Sequence, residues 1–316
     1  MGDGLPEGQP GMSADTVAVA AAGLAPAGSA ASSGHDIPAA MAARSAGENF
    51  PVALRLLPAR HRQHLMAVYG FARTVDDIGD KAPVAERGRL LDELESDLGR
   101  LYPDQGAHQG TAPELSVVRA LRAAVTECAI PEQPFLDLIQ ANRQDQLVTR
   151  YPAFDDLAGY CRLSANPVGR IVLHVFGAFT PARAELSDQV CTALQLAEHW
   201  QDIGEDFRAG RIYLPGEDMA RYGCPESDLS APRSSPALRA LVAFETRRAR
   251  ALLDAGAPLV GTLRGFARMA VAGYVAGGRA ALAAIAAADH DVLGAMPRPS
   301  AARTAAELLR CQATGR

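Results

Sequence analysis

The stretch "YGFARTVDDIGD", Tyr69 to Asp80, closes an apolar, helix-favouring run with three aspartates gathered at its end. Carboxylates held within a few ångströms of one another raise each other's pKa by repulsion, so such a group is costly unless a cation or a proton shares it. On a helix, Tyr69, Arg73, Asp76 or Asp77, and Asp80 recur at spacings of three and four and share one face. An acidic pair of this kind at a helix end is ordinarily a solvated surface feature. Here the preceding "LMAVYGFA" is apolar on nearly all sides, which argues against full solvation and points the face at something positive.

A second stretch repeats the pattern. In "ALQLAEHWQDIGEDFRAGRIYLP", Ala193 to Pro215, the residues Gln195, Glu198 or His199, Asp202 and Asp206 lie on one face, again after apolar turns. Two acidic helix faces in one chain can oppose each other across a cavity. Hard divalent cations such as Mg²⁺ take oxygen ligands, typically one or two carboxylates each, with phosphate and water completing the octahedron. Two such faces suit a diphosphate held by several Mg²⁺ ions. A His/Cys zinc site is not supported, because His199 has no partner histidine at metal-ligand spacing.

The rest of the chain sets the frame. With 316 residues and 48% hydrophobic content it can bury a substantial core, which excludes disorder of the whole. Its net charge of −5 comes from interleaved acids and bases, so no nucleic-acid partner is expected. The five cysteines, Cys128, Cys161, Cys191, Cys224 and Cys311, are odd in number and lack CxxC pairing, as expected of reduced and mostly buried thiols in the cytoplasm. Residues 1–40 are rich in Ala, Gly, Ser and Pro and read as a disordered tail; "VAVAAAGLA" has only acids ahead of it, so a secretory signal is not expected. Residues 294–316, proline- and arginine-rich, read as a flexible extension. Between them, residues 41–293 form the expected domain.

That domain is helical in character. Helices are predicted over 41–55, 60–79, 84–101, 114–128, 132–149, 154–163, 166–178, 183–207, 235–253, 256–272 and 273–288, with prolines marking many of the boundaries. Met269 to Ala288 is the nearest approach to a membrane span. Arg279 and three glycines interrupt it, so it reads as a buried core helix, with membrane contact through a surface patch left open.

The two acidic stretches resemble the first and second aspartate-rich motifs of the squalene and phytoene synthase family. The likeness extends over roughly residues 45–290 and includes "ENFPVALRLLPARHR", "RYPAFDDLAGYCRLSANPVGR" and "GRIYLP". "ENFPVA…LLP" with "YCRLSANPVGR" is most similar to the hydroxysqualene synthase branch of the hopanoid pathway. The resemblance implies an all-α isoprenoid synthase bundle around a central pocket, with Mg²⁺ as cofactor and presqualene or farnesyl diphosphate as substrate. Asp76, Asp77 and Asp80 would bind metal from one wall, and Asp202 and Asp206 from the other. Arg73 would meet phosphate oxygens or a carboxylate, Arg211 would meet phosphate oxygens, Tyr213 would close the pocket, and Gln195 belongs to the second motif. Asn49 and Phe50 fall in the entrance segment. Glu198 stands where many relatives carry Asn, and is read as a further metal ligand, with a salt bridge to a nearby arginine as the alternative.

Catalysis implied by the resemblance makes a carbocation, which needs dry apolar or aromatic walls. Phe50, Phe71, Tyr160, Phe176, Phe266 and Tyr274 are candidate walls, although any of them serves equally as plain core. Asn166, at the break before Pro167, and Tyr213 are the candidate groups for placing a terminal water, while Gln144 and Asp145 offer a polar face toward phosphate or metal-bound water. Three products of reasoning compete: hydroxysqualene from presqualene diphosphate; squalene or phytoene from two prenyl diphosphates, squalene with NADPH; and a catalytically silent scaffold, against which the intact aspartates speak. A cytoplasmic location follows, with docking on the inner face of the membrane or on a presqualene diphosphate synthase left open.

Overall fold

Leu65, Val68, Phe71, Ala72 and Val75 repeat at helical spacing, and in the computed structural model all are buried along the first described helix, α1 (Ala59–Lys81). The structure describes residues 57–102, 111–295 and 297–316. The tail expected at 1–40, the helix expected at 41–55, and Asn49 and Phe50 lie outside the described residues. Among the described residues there is no strand, and the architecture is all-α.

After α1 come α2 (Val84–Gly99), α3 (Ser116–Cys128), α4 (Gln133–Asp145), α5 (Phe154–Ser164) and α6 (Asn166–Val175). The long α7 (Pro181–Arg208) follows, then α8 (Gly216–Tyr222), a 3-10 turn (Glu226–Ser230), α9 (Pro236–Gly256), α10 (Leu259–Thr262), α11 (Gly265–Ala287) and α12 (Ala301–Thr314). One core gathers Phe71, Leu91, Leu121, Phe135 and Ile139 from α1 to α4; the other gathers Leu157, Leu196, Trp200, Leu253 and Val275 from α5, α7, α9 and α11. α6 joins them, because Ile171 and Val172 face the first and Leu173 the second.

α7 is the axis of the second core. Thr180 caps it by accepting from the amide of Arg183 at 3.2 Å, and Pro181 occupies its first turn, where a missing N–H costs nothing. From Thr192 to Gln201 it is buried on almost every side, polar residues included. α9 lies so close that a Cβ on Gly256 would sit 2.6 Å from the Leu186 carbonyl oxygen and 2.7 Å from a methyl of Val190.

The C-terminal half departs from the sequence expectation in two places. The helices expected at 256–272 and 273–288 are one helix, α11, preceded by the short α10; no proline interrupts α11, and the chain turns instead at Gly265, whose φ is +56°. α11 is long and apolar enough to cross a membrane by length and composition, yet 56% of its most apolar window is buried in the bundle. Within it Arg279 is 7% exposed and donates to Asp254 Oδ1 at 2.7 Å and to Cys311 Sγ at 3.4 Å. The arginine that interrupts the apolar run thus cross-links α9, α11 and α12. The segment 294–316 contains α12, which packs along α11 with Arg268 donating to the Gln312 carbonyl at 2.6 Å. All five cysteines are free thiols, and Cys161, Cys191, Cys224 and Cys311 are buried.

Replacing Gly256 by Ala should push α9 off α7 and destabilise the protein by about 1–3 kcal/mol. Chemical denaturation checks this, and an unchanged midpoint would contradict the close packing of the two helices.

Candidate active site

The carboxyl ends of α1 and α7 carry the two acidic motifs, and the chain brings them together. On α1, Asp76 and Asp80 are buried, at 2% and 3% exposure. Asp77, about 100° further round the helix, points outward. Its side chain is 41% exposed and pairs with Lys81 at 2.7 Å and Arg73 at 3.2 Å. Of the three aspartates read as metal ligands, the helical period turns Asp76 and Asp80 inward and leaves Asp77 on the outer side. Arg73 stays close enough for its charge to favour the ionised form of Asp76.

α4 supplies the next layer. Asn142 Nδ2 donates to Asp76 Oδ1 at 3.2 Å. Room for this contact comes from Gly79, where a Cβ would lie 2.1 Å from Asn142 Oδ1. Gln146 ties the same crossing by donating to the Gly79 carbonyl at 3.2 Å. At the end of α4, Asp145 accepts from the Tyr160 hydroxyl of α5 at 2.8 Å.

Beyond α4 the chain runs extended, and Ile212 pairs with it. The Ile212 amide donates to Thr149 O at 2.9 Å, forming an isolated parallel bridge between Arg150 and Ile212. This pairing places the two residues flanking Ile212 over the acids. Arg211 Nη2 donates to Asp80 Oδ1 at 2.9 Å. The Tyr213 ring stacks on His199 with centroids 3.8 Å apart and lies 5.7 Å from both Tyr151 and Tyr160.

α7 contributes its acidic face. Gln195, Glu198 and His199 are buried, Asp202 is half-buried, and Gln195 Nε2 lies 3.2 Å from His199 Nε2. Asp206 Oδ2 is 3.9 Å from His199 Nδ1. Asn166 sits apart: it accepts from Thr192 Oγ1 at 2.9 Å, and Thr192 precedes Asp202 by roughly 15 Å of helix axis.

Burial and mutual repulsion make this a cluster of reluctant anions. Burial lifts Asp76 well above the ordinary carboxylate range; the Asn142 bond opposes that, and the Asp80 charge adds to it. Burial likewise raises Asp145 to about 7, against Arg211 and the Tyr160 bond. Asp206 rises to about 8, mainly through burial with Glu205 and Asp80 nearby. The shared counter-charge is Arg211, which remains cationic despite burial because Tyr213, Asp145 and Asp80 surround it. Burial and then Arg211 push His199 down to about 3, so it is neutral. Burial and then Asp145 hold the Tyr160 and Tyr213 hydroxyls protonated.

The donor set is suited to a hard cation. Asp76 Oδ2, Asp145 Oδ1 and Gln195 Oε1 are buried oxygens without a hydrogen-bond partner, and such atoms ask for one. Among the described residues, no three His, Cys, Asp or Glu side chains converge on a single point. Asn142 and Tyr151 escaped the sequence reading, and Tyr160 was read only as an apolar wall. The one available signal was the i,i+3 pairing of Asn142 with Asp145 on α4.

Arg211→Gln should destabilise the protein by about 3–5 kcal/mol at pH 9 without divalent metal, since it leaves carboxylates buried without their cation. The native acids of this cluster have raised pKa values, so they bind protons that the unfolded chain releases. Near pH 6 Asp145 and Asp206 hold those protons, and the loss should be smaller. Equal losses of stability at the two pH values, measured by denaturation, would contradict the role given to Arg211.

Comparison with known proteins gives one consistent result. A model of the squalene/phytoene synthase family matches residues 43–305. A hydroxysqualene synthase of Rhodopseudomonas palustris is 38% identical over 223 residues, covering 69% of this chain and 72% of that protein. The crystal structure of the squalene synthase HpnC from Alicyclobacillus acidocaldarius superposes with a TM-score of 0.71 at 39% identity, over 80% of this chain and 97% of that one. A dehydrosqualene synthase crystallised with a ligand gives 0.72 at 26% identity, over 83% and 89%.

Proposed function

Because the chain belongs to the squalene/phytoene synthase family, matched over residues 43–305, we propose that it converts presqualene diphosphate into hydroxysqualene. The observation that carries this reading is the meeting of the two acidic helix ends around Arg211, together with the 38% identity to a hydroxysqualene synthase. Asp76 and Asp80 from α1, and Glu198, Asp202 and Asp206 from α7, would hold Mg²⁺, as their oxygen-only donor set suits. When bound, Mg²⁺ neutralises charge on the diphosphate as the carbon–oxygen bond breaks.

The chain's own groups account for the remainder. Arg211 and Arg73 bring fixed positive charge to the departing diphosphate at the mouth. Tyr151, Tyr160, Tyr213 and neutral His199 form a contiguous aromatic surface beside the acids, able to face a carbocation without being alkylated as an anion would be. Their burial excludes bulk water, so the terminal water must be placed by a polar group. Tyr213, a protonated donor at the mouth, and Asn166, deeper along α7, are the candidates. The likeness to HpnC, named a squalene synthase, supports a second reading in which hydride from NADPH ends the reaction instead.

Asp76→Asn and Asp202→Asn should each lower turnover by at least about a hundredfold while leaving the thermal midpoint unchanged or raised, because one member of a repelling cluster has gone. A variant that melts early yet turns over normally when folded would make the aspartates structural.

Purified protein given presqualene diphosphate and Mg²⁺ should yield the alcohol, and adding NADPH should not divert it. Water capture needs only an ordered molecule, whereas hydride capture needs a nicotinamide ring held against the cation. Squalene formed only with NADPH would replace this reading with the second.

A further inference from the structure

The end of α1 carries Asp76 and Asp80, and residues of two other helices grip it from outside. Asn142 of α4, 3% exposed, donates from Nδ2 to Asp76 Oδ1 at 3.2 Å. Gln146, just past the end of α4, donates to the Gly79 carbonyl at 3.2 Å and to the Asn142 carbonyl at 3.1 Å. Behind Gln146 stands Arg87, in the first turn of α2, which donates to Gln146 Oε1 at 2.8 Å. The same guanidinium donates to the Asp80 and Ala82 carbonyls, each at 2.9 Å. Those carbonyls lie at the C-terminus of α1, where main-chain oxygens lack helical partners and a cation is favoured. α2 and α4 are tied in this way to the turn that bears both acids.

The sequence makes room for the contact at Asp76. A Cβ at Gly79 would lie 2.1 Å from Asn142 Oδ1 and 3.1 Å from its Cγ, so any larger residue there displaces the amide. With Oδ1 taken by that amide, Asp76 keeps one buried oxygen, Oδ2, without a partner. A carboxylate held like this offers one oxygen in a set direction. Such an oxygen suits Mg²⁺, whose octahedron tolerates little departure from ideal angles. Groups that orient a metal ligand from behind commonly change metal affinity by about ten- to a hundredfold.

We propose that Asn142 and Arg87 are positioning residues for metal binding. Asn142 orients the Asp76 carboxylate. Arg87, through Gln146 and the carbonyls of Asp80 and Ala82, fixes the turn on which Asp76 and Asp80 stand. Both act through other groups and touch neither metal nor diphosphate. The inference rests on the reading of these aspartates as Mg²⁺ ligands in the function proposed above.

Calorimetric titration of the full chain with Mg²⁺ in the presence of inorganic diphosphate tests this. Asn142→Leu keeps roughly the shape of the amide without its donor, and Arg87→Met keeps the stem without the guanidinium. Each should weaken Mg²⁺ binding about tenfold or more. Ca²⁺ accepts irregular geometry, so its binding should fall less than that of Mg²⁺, whereas a generally loosened protein would lose both cations alike. In turnover of presqualene diphosphate, the Mg²⁺ concentration giving half the maximal rate should rise by the same factor, with most of kcat recovered at saturating Mg²⁺. Arg87→Met, altered at a half-buried site, decides the matter where Asn142→Leu does not fold. The positioning role is overturned if the wild type binds no Mg²⁺ with diphosphate, if the folded variants bind it as tightly as the wild type, or if Mg²⁺ and Ca²⁺ affinities fall equally. Weakened Mg²⁺ binding in variants of a protein that turns over no presqualene diphosphate would sink the functional reading and leave the positioning role intact. Turnover of presqualene diphosphate by the wild type, with Mg²⁺ binding unchanged in the variants, would do the reverse.

Discussion

Three buried or nearly buried aspartates, Asp80, Asp145 and Asp206, come from three helices to lie near the guanidinium of Arg211, and Asp76 lies beyond, beside Asp80. In water such a gathering would disperse. Inside the protein it persists because the cation is delivered from outside the helices, by a short extended segment pinned to the chain that leaves α4. The packing of α1 on α4, the ending of α4 at Asp145 and the abrupt exit from α7 all serve that convergence. The raised pKa values record what remains unbalanced, and an additional hard cation is what such a residue of negative charge attracts.

The same helix that ends among these acids is buried on almost every side from Thr192 to Gln201, and it is fixed at its other end by the Thr180 cap and by Arg183, which donates to Ala178 O and Thr262 O. The all-α bundle thus holds the acidic end of α7 on a long, packed stem.

Much of this was legible in the sequence because helical spacing is local. The carboxylate pair Asp76 and Asp80, the acidic face of α7, and most helix boundaries follow from periodicity and proline placement. Arg211 and Tyr213 were reached through family resemblance alone, since nothing local announces that "GRIYLP" folds back over α1. Asp77 could not be told from Asp76 until the direction of the neighbouring helix was known. Asn142 and Tyr160 acquire their roles only through contacts with residues far along the chain, Asn142 with Asp76 and Tyr160 with Asp145. The undivided α11 was hidden by its glycines, which local propensity counts against a helix but tertiary packing tolerates. Arg279 looked like an interruption until α12 was seen beside it.

The bridge at Ile212 carries a consequence for how this chain can vary. In an extended segment side chains alternate, so Arg211 and Tyr213 share one side only because a single residue separates them. Gly210, with φ at +85°, makes the turn that sets their starting point. The identity of neighbouring residues is therefore freer than their number. Gaining one residue between Gly210 and Arg211 would shift the register and turn both side chains away together, taking the cation from the acids and the ring from His199 in one step. Among relatives of this chain, the spacing from the last aspartate of α7 to this arginine should vary less than the residues that fill it.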